Sequence, residues 1–315
     1  MPELICSVPS KIHTDYPAID ECNAAWVRKY LPFDSDEDRQ QFLELRIPMW
    51  DCQLFPVGTK EQVLESACIT SLILAIDDRP LVRHAFFGGG DPCLVEGHPF
   101  SQIFVDLWGK LKCHMKPSVY RRYCYEWQLW FDSVITEGEL QENGVVLDFN
   151  SFRELRRFNS ALLPYFVFAE YLHDLDLSEL IHDEDLQLAI QATNDHVMLV
   201  NDLYSYRKER SAGVTLNAME SLTHTHQMSL LQAADEICTL ISEADQIRET
   251  QCQKLRRRYA YRPDAEQLGR YLDTFGTMCS GTLRWILENP RYYDASGRGW
   301  NWTRSRRIYL DPELS

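Results

Sequence analysis

The stretch Ala189-Ile-Gln-Ala-Thr-Asn-Asp-His-Val-Met-Leu-Val-Asn-Asp-Leu-Tyr-Ser-Tyr-Arg-Lys-Glu209 settles the fold class of this chain. It lies inside one long helical pattern, from about Asp183 to Arg210, with Gly213 just beyond as a stop. From Ala189 to Leu203 the pattern is apolar enough to be buried on most sides. A polar stripe then follows. Asn201, Ser205 and Glu209 are spaced i, i+4, i+8, which drifts only about 80° around a helix and keeps all three on one face. Helical side chains lean towards the N-terminus, so the long Glu209 can reach back towards Ser205 and Asn201. An amide, a hydroxyl and a carboxylate on one face suit a hard cation such as Mg2+. The plainer reading is the solvated end of a long helix, where Ser and Glu are commonplace. Its position directly after Val197–Val200 favours the wall of a cavity.

Working outward, helical signals dominate the sequence and alternating strand patterns are nearly absent. Thr59 with Gln62 three residues on forms a capping box ahead of the mostly apolar run Val63–Ile76. That helix is expected to end near Asp77-Asp78, since Pro80 and Gly88-Gly89-Gly90 follow. Another runs from about Ser118 to Thr136 and carries Tyr120, Tyr123, Trp127, Trp130 and Phe131. A third starts near Asn150 and must kink or break at Pro164, which lacks a donor and clashes with the preceding turn. Helices over about Ser229–Arg258 and Pro263–Glu288 complete an all-α bundle of roughly eight to ten helices. No linker or repeat divides it, so residues 1–315 are expected to form one domain around a central active-site cavity.

Composition narrows the function classes. The chain has 315 residues, 45% hydrophobic and 25% charged, which is ordinary globular usage. A formal net charge of -15 argues against a nucleic-acid partner. An acidic protein can still bind a polyanion through bridging divalent ions. No apolar run approaches the roughly 18 residues needed to cross a bilayer, so membrane insertion is not expected. Met1–Ser10 lacks a basic region followed by an apolar stretch, and the expected address is cytoplasmic. The 10 cysteines are scattered singly, supporting neither a disulfide framework nor a zinc site. In a reducing compartment they read as small buried apolar residues.

Two weaker constellations accompany the stripe. Asp77 and Asp78 point about 100° apart on a helix, so one at most faces a given cavity. Asp77 is the choice as metal ligand, with Asp78 paired to Arg79 or Arg83; an ordinary polar helix end is the bland alternative. Arg156, Arg157, Lys208 and Arg291, the last followed by Tyr292, are cations able to hold a diphosphate. Taken singly, each arginine is more simply a surface residue, and Lys254 with Arg256–Arg258 reads as a solvated face.

Together these pieces resemble a known family. Asn201-Asp-Leu-Tyr-Ser-Tyr-Arg-Lys-Glu209 is similar to the metal-binding motif (N/D)D(L/I/V)x(S/T)xxxE of class I terpene synthases, with a basic residue before the glutamate. The order also matches: an aspartate pair upstream, an arginine about 45 residues before the motif, and Arg291-Tyr292 near the C-terminus. Gly281–Tyr292 resembles the end of microbial sesquiterpene cyclases, and the likeness covers about residues 45–293. Two departures stand out. No acid follows Asp78 where the usual aspartate-rich motif has its last member, and Ile73–Ile76 is aliphatic where many relatives carry phenylalanine.

The resemblance implies Mg2+-dependent ionisation of farnesyl diphosphate, cyclisation of the carbocation and release of diphosphate. Three Mg2+ ions are implied, with Mn2+ as a substitute: Asp77 would hold two, and Asn201, Ser205 and Glu209 the third. Arg156 or Arg157 would sense diphosphate, and Lys208, Arg291 and Tyr292 would contact it in a closed, water-free state. Trp285 matches a pocket tryptophan whose ring face stabilises a passing cation. Further π surfaces are expected from Phe86, Phe87, Tyr165 or Phe166. The break at Ser160–Pro164 corresponds to the family's kinked helix. The rival readings are a chain-elongating isoprenyl diphosphate synthase, which needs a second aspartate-rich motif at residues 201–209, and a non-catalytic helical protein retaining the fold. The sequence leaves a homodimer open.

Overall fold

A computed structural model describes residues 4, 6–77 and 99–292. Twelve helices and no strand occur among them. In chain order they are α1 (Tyr16–Tyr30), α2 (Asp36–Glu44), α3 (Ile47–Leu54), α4 (Lys60–Asp77), α5 (Pro99–His114) and α6 (Pro117–Glu142). Then come α7 (Phe149–Asn159), α8 (Leu163–Leu172), α9 (Glu184–Ser211), α10 (Ala218–Thr225), α11 (Leu230–Arg258) and α12 (Ala265–Glu288), before a 3-10 turn at Pro290–Tyr292. This exceeds the eight to ten helices expected. The excess comes from short ones such as α2, α3 and α10, which are too brief to carry a clear period.

The local signals behave as their chemistry requires. Thr59 and Gln62 exchange side-chain and backbone hydrogen bonds at the head of α4, at 3.0 and 3.2 Å. Ser229 and Gln232 form a second capping box on α11. The chain breaks at Ser160–Leu162, with Ala161 at φ 59°, so Pro164 falls in the first turn of α8, where its missing N–H does no harm. Asp183 caps α9 through Leu186 N, and Gly213 takes the left-handed φ of 74° beyond its end. Arg258 pairs with Asp183 and Asp185 at the start of α9, and Arg256 with Asp273, so the basic run at the end of α11 ties helices together.

The helix α9 is the axis of the bundle and is packed chiefly by α11 and α12. Two hydrophobic cores flank it. The larger collects α1, α3–α6 and α8 with part of α12; the smaller collects the C-terminal half of α9, α10, the start of α11 and the end of α12. Trp50 on α3 packs against both. The helices α3 and α12 meet closely because Gly281 leaves room: a Cβ there would stand 2.8 Å from the Gln53 carbonyl carbon and oxygen. Residues 6–15 form a strap across α11 and α12. Ser7 N donates to Asp245 Oδ2 at 2.8 Å, and Val8 fills the notch left by Gly276.

Candidate active site

The polar stripe on α9 does not face bulk solvent. Asn201 and Glu209 are half-buried, and Ser205 is buried at 3% exposure. The α7 helix lies alongside, its polarity strongly one-sided because Arg153, Arg156 and Arg157 share a sector facing α9. Arg156 reaches the stripe. Its Nε and one terminal nitrogen donate to Asp202 Oδ1 at 3.1 and 2.9 Å, and the same terminal nitrogen donates to Asn201 Oδ1 at 2.9 Å. Its other terminal nitrogen donates to Asn159 Oδ1 at 3.0 Å. Arg157 turns elsewhere, joining Arg153 on Asp195 with contacts of 2.7 Å. The two adjacent arginines therefore occupy different surroundings.

Burial and charge oppose each other here. Burial disfavours the Arg156 cation, yet Asp202, Glu209 and Glu137 outweigh it and hold the guanidinium protonated. Burial pushes the Asp202 carboxyl up, with Arg156 and the Ala218 N–H opposing. Glu209 is pushed up by burial and then by Asp202, while Asn217 and Arg156 favour its charged form. Asn217 caps α10 and donates from its amide to Asp202 O and Glu209 Oε2, both at 2.9 Å. The first residue of α10 adds its backbone, Ala218 N donating to Asp202 Oδ2 at 3.1 Å, where a helix dipole favours negative charge.

The donors fit a hard divalent ion. Ser205 Oγ is buried without a hydrogen bond of normal geometry, though it lies near enough to Glu209 to favour the carboxylate. One Glu209 oxygen is taken by Asn217, and Asn201 Oδ1 by Arg156, each leaving acceptor capacity. An amide oxygen, an orphaned hydroxyl and a carboxylate form an all-oxygen set of the kind Mg2+ takes.

A row of aromatic rings leads away from the stripe. Asn201 Nδ2 donates to the Tyr292 hydroxyl at 2.9 Å. Tyr292 meets Trp285 edge-on at 5.6 Å, Trp285 lies 6.4 Å from Trp50, and Trp50 meets Tyr165 edge-on at 5.0 Å. Trp50 is fixed by its Nε1 donating to Thr282 Oγ1 at 3.0 Å. The Tyr165 hydroxyl is 2.6 Å from Thr70 Oγ1, which donates to the buried Asp51. Phe166 sits apart from this row, against Phe275.

Lys208 is exposed and Arg291 half-buried, its N–H held by Asn289 Oδ1. Asp77 closes α4, but its side chain lies outside the described residues, as do Asp78, Arg79, Arg83, Phe86 and Phe87. Sequence reasoning missed three participants: Asp202 as partner of Arg156, Asn217 as clamp on Glu209, and Trp50 in the aromatic row. Asp202 was legible in hindsight, being adjacent to the stripe in a buried segment where a charge needs a partner. Trp50 and Asn217 carried no local signal.

Comparison with known proteins agrees with this geometry. Residues 70–246, more than half of the chain, match the model for terpene synthase family 2, C-terminal metal binding. Bifunctional terpene synthase Agr4 of Cyclocybe aegerita is 28% identical over 315 residues, covering 93% of this chain and 88% of that protein. Sesquiterpene synthase 1 of Postia placenta is 26% identical over 205 residues, 64% of this chain and 60% of that one. The crystal structure of linalool/nerolidol synthase from Streptomyces clavuligerus superposes with a TM-score of 0.81 at 20% identity, covering 90% of this chain and all of the other. That likeness shows the fold. With the family region enclosing both the buried stripe and the arginine that meets it, this chain belongs to the terpene synthases, family 2, as an all-α enzyme with a C-terminal metal-binding region.

Proposed function

We propose that this enzyme ionises farnesyl diphosphate, cyclises the cation to a sesquiterpene and releases diphosphate. The observation that carries the reading is the hydrogen-bonded set Asn201–Arg156–Asp202, with Tyr292 closing on Asn201 and buried Ser205 and Glu209 on the same helix face. Asn201, Ser205 and Glu209 would hold one Mg2+, and Asp77 would serve the other two of three ions, with Mn2+ as a substitute. Bound there, the metal supplies Lewis-acid neutralisation of the departing diphosphate.

The chain's own groups do the rest. Arg156 presents a planar fork already desolvated, so its charge acts strongly on a phosphate oxygen entering beside it. Lys208 and Arg291 add positive charge from the rim, and the Tyr292 hydroxyl is placed to exchange Asn201 for a diphosphate oxygen. Trp285 and Trp50 offer ring faces to a cation on the apolar side of the stripe. None of these rings carries a base strong enough to quench the cation. Diphosphate therefore takes the final proton. The C15 substrate accords with a relative named as a sesquiterpene synthase, whose similarity covers 64% of this chain.

The test is product analysis by gas chromatography after incubation with farnesyl diphosphate, with and without Mg2+ and isopentenyl diphosphate. A cyclic C15 hydrocarbon or alcohol, dependent on Mg2+ and indifferent to isopentenyl diphosphate, is the expected result. Asn201→Ala and Glu209→Ala should each lower turnover by about 10²–10³-fold with helical circular dichroism intact. Full activity in both variants would refute the metal assignment.

A further inference from the structure

Four segments bring residues that take no part in the candidate site to a small cluster containing sulfur. Cys6 belongs to the strap ahead of α1, His196 to α9, Asp245 to α11 and Cys279 to α12. One ligand atom each from Cys6, His196 and Asp245 lie within 4.8 Å of one another. Cys6 Sγ stands 3.8 Å from Asp245 Oδ1, and Cys279 and then His196 favour the Cys6 thiolate against its burial. His196 is 1% exposed, yet its Nδ1 has no hydrogen-bond partner among the described residues. A buried polar atom left unsatisfied costs about 1–3 kcal/mol, and such atoms call for a ligand or a structural reason. Singly scattered cysteines gave no hint of this in the sequence, because the four residues meet only through tertiary packing.

We propose that Cys6, His196 and Asp245 bind a thiophilic divalent cation such as Zn2+ at a site separate from the oxygen-lined stripe. Sulfur, imidazole and carboxylate donors match Zn2+, whereas Mg2+ takes oxygen. With metal–ligand bonds of about 2.0–2.3 Å, tetrahedral donors stand roughly 3.3–3.8 Å apart. The observed 3.8 Å between Cys6 Sγ and Asp245 Oδ1 therefore asks for little movement. Charge is consistent as well. Arg248 donates to Asp245 Oδ1 at 3.1 and 2.8 Å and to Ser7 Oγ at 2.7 Å, placing one positive charge against the carboxylate. The Cys6 thiolate and that carboxylate match the charge of a divalent cation. Ion binding releases the proton of any thiol still protonated, as thiolate coordination requires. The consequence is a staple. It would fasten the strap to α9 and α11.

The experiment uses the full chain, reduced and stripped of metal, titrated with Co2+ in excess Mg2+ so that oxygen sites are occupied. One equivalent of Co2+ should produce a sulfur-to-cobalt charge-transfer band that Zn2+ displaces. Cys6→Ser should abolish the band while leaving Mg2+-dependent diphosphate release in place. A second measurement does not depend on the variant folding: Zn2+ should slow iodoacetamide alkylation of Cys6 several-fold in the wild-type chain, and leave exposed Cys113 unaffected. Absence of the band from reduced wild-type protein, or its survival in Cys6→Ser, overturns the proposal. So does unchanged alkylation of Cys6. Isolation of a Cys6–Cys279 disulfide that, once reduced, yields no band also overturns it.

Discussion

Arg156 and Arg157 show how much a 100° step on a helix decides. Arg156 meets Asn201 and Asp202, and Arg157 meets Asp195. Arg156→Lys keeps the charge but loses the fork, and is expected to lower turnover by about 10²-fold or more with little change in melting temperature. Arg157→Lys should retain most of the activity, since Arg153 still pairs Asp195. Steady-state diphosphate release beside a thermal melt separates the two. Asp51 supplies a second residue-scale expectation. It is fully buried, its carboxyl pushed up to about 7 by desolvation despite Ser66 and Thr70 donating to it, and its Oδ2 has no partner. The folded state then holds a proton that the unfolded chain has released, so this group's contribution to stability falls as pH rises from the ordinary carboxyl value towards about 7. Between about pH 5 and pH 7 the loss is about 2–3 kcal/mol. Urea midpoints should show that slope in the wild type and a flatter one in Asp51→Asn. The sequence carried the candidate cations by residue type, but not their partners, because the partners depend on the phase at which α7 meets α9.

At the scale of elements, the signals that act within a few residues were legible. The capping box at Thr59, the break ahead of Pro164, and the extent of α9 between Asp183 and Gly213 all rest on local chemistry. What escaped was set by packing. The α3 helix follows Arg46 in a left-handed conformation at φ 45° and owes its existence to the fit against α4 and α12. The polar face of α10 carries the clamp Asn217 for reasons visible only once α9 lies beside it. The seating of α3 on α12 yields a direct prediction. Gly281→Ala would place its Cβ 2.8 Å from the Gln53 backbone. Alanine's helix propensity adds up to about 1 kcal/mol, but overpacking against a rigid backbone removes about 1–3 kcal/mol. A lowered melting temperature is expected, together with reduced activity, because the same contact positions Trp50 against Thr282.

Across the whole molecule, the all-α bundle was legible because helical periodicity and breakers run from end to end, whereas the pairing of two cores was not. The stripe belongs to the smaller core, and Trp50 alone of the rings in its row packs against both cores. No helix among the described residues is long and apolar enough to cross a membrane. That arrangement divides labour between two parts of the protein. In the proposed reaction, the groups that ionise the substrate would ride on α7, α9 and α10, while the contour that steers the hydrocarbon would come from α3, α8 and α12. Reshaping Trp50 to leucine should therefore redistribute the terpenes formed, read by gas chromatography, and change the rate of diphosphate release far less. A lineage carrying this architecture could diversify its chemical repertoire by editing one tryptophan seat, with the ionising apparatus left as inherited.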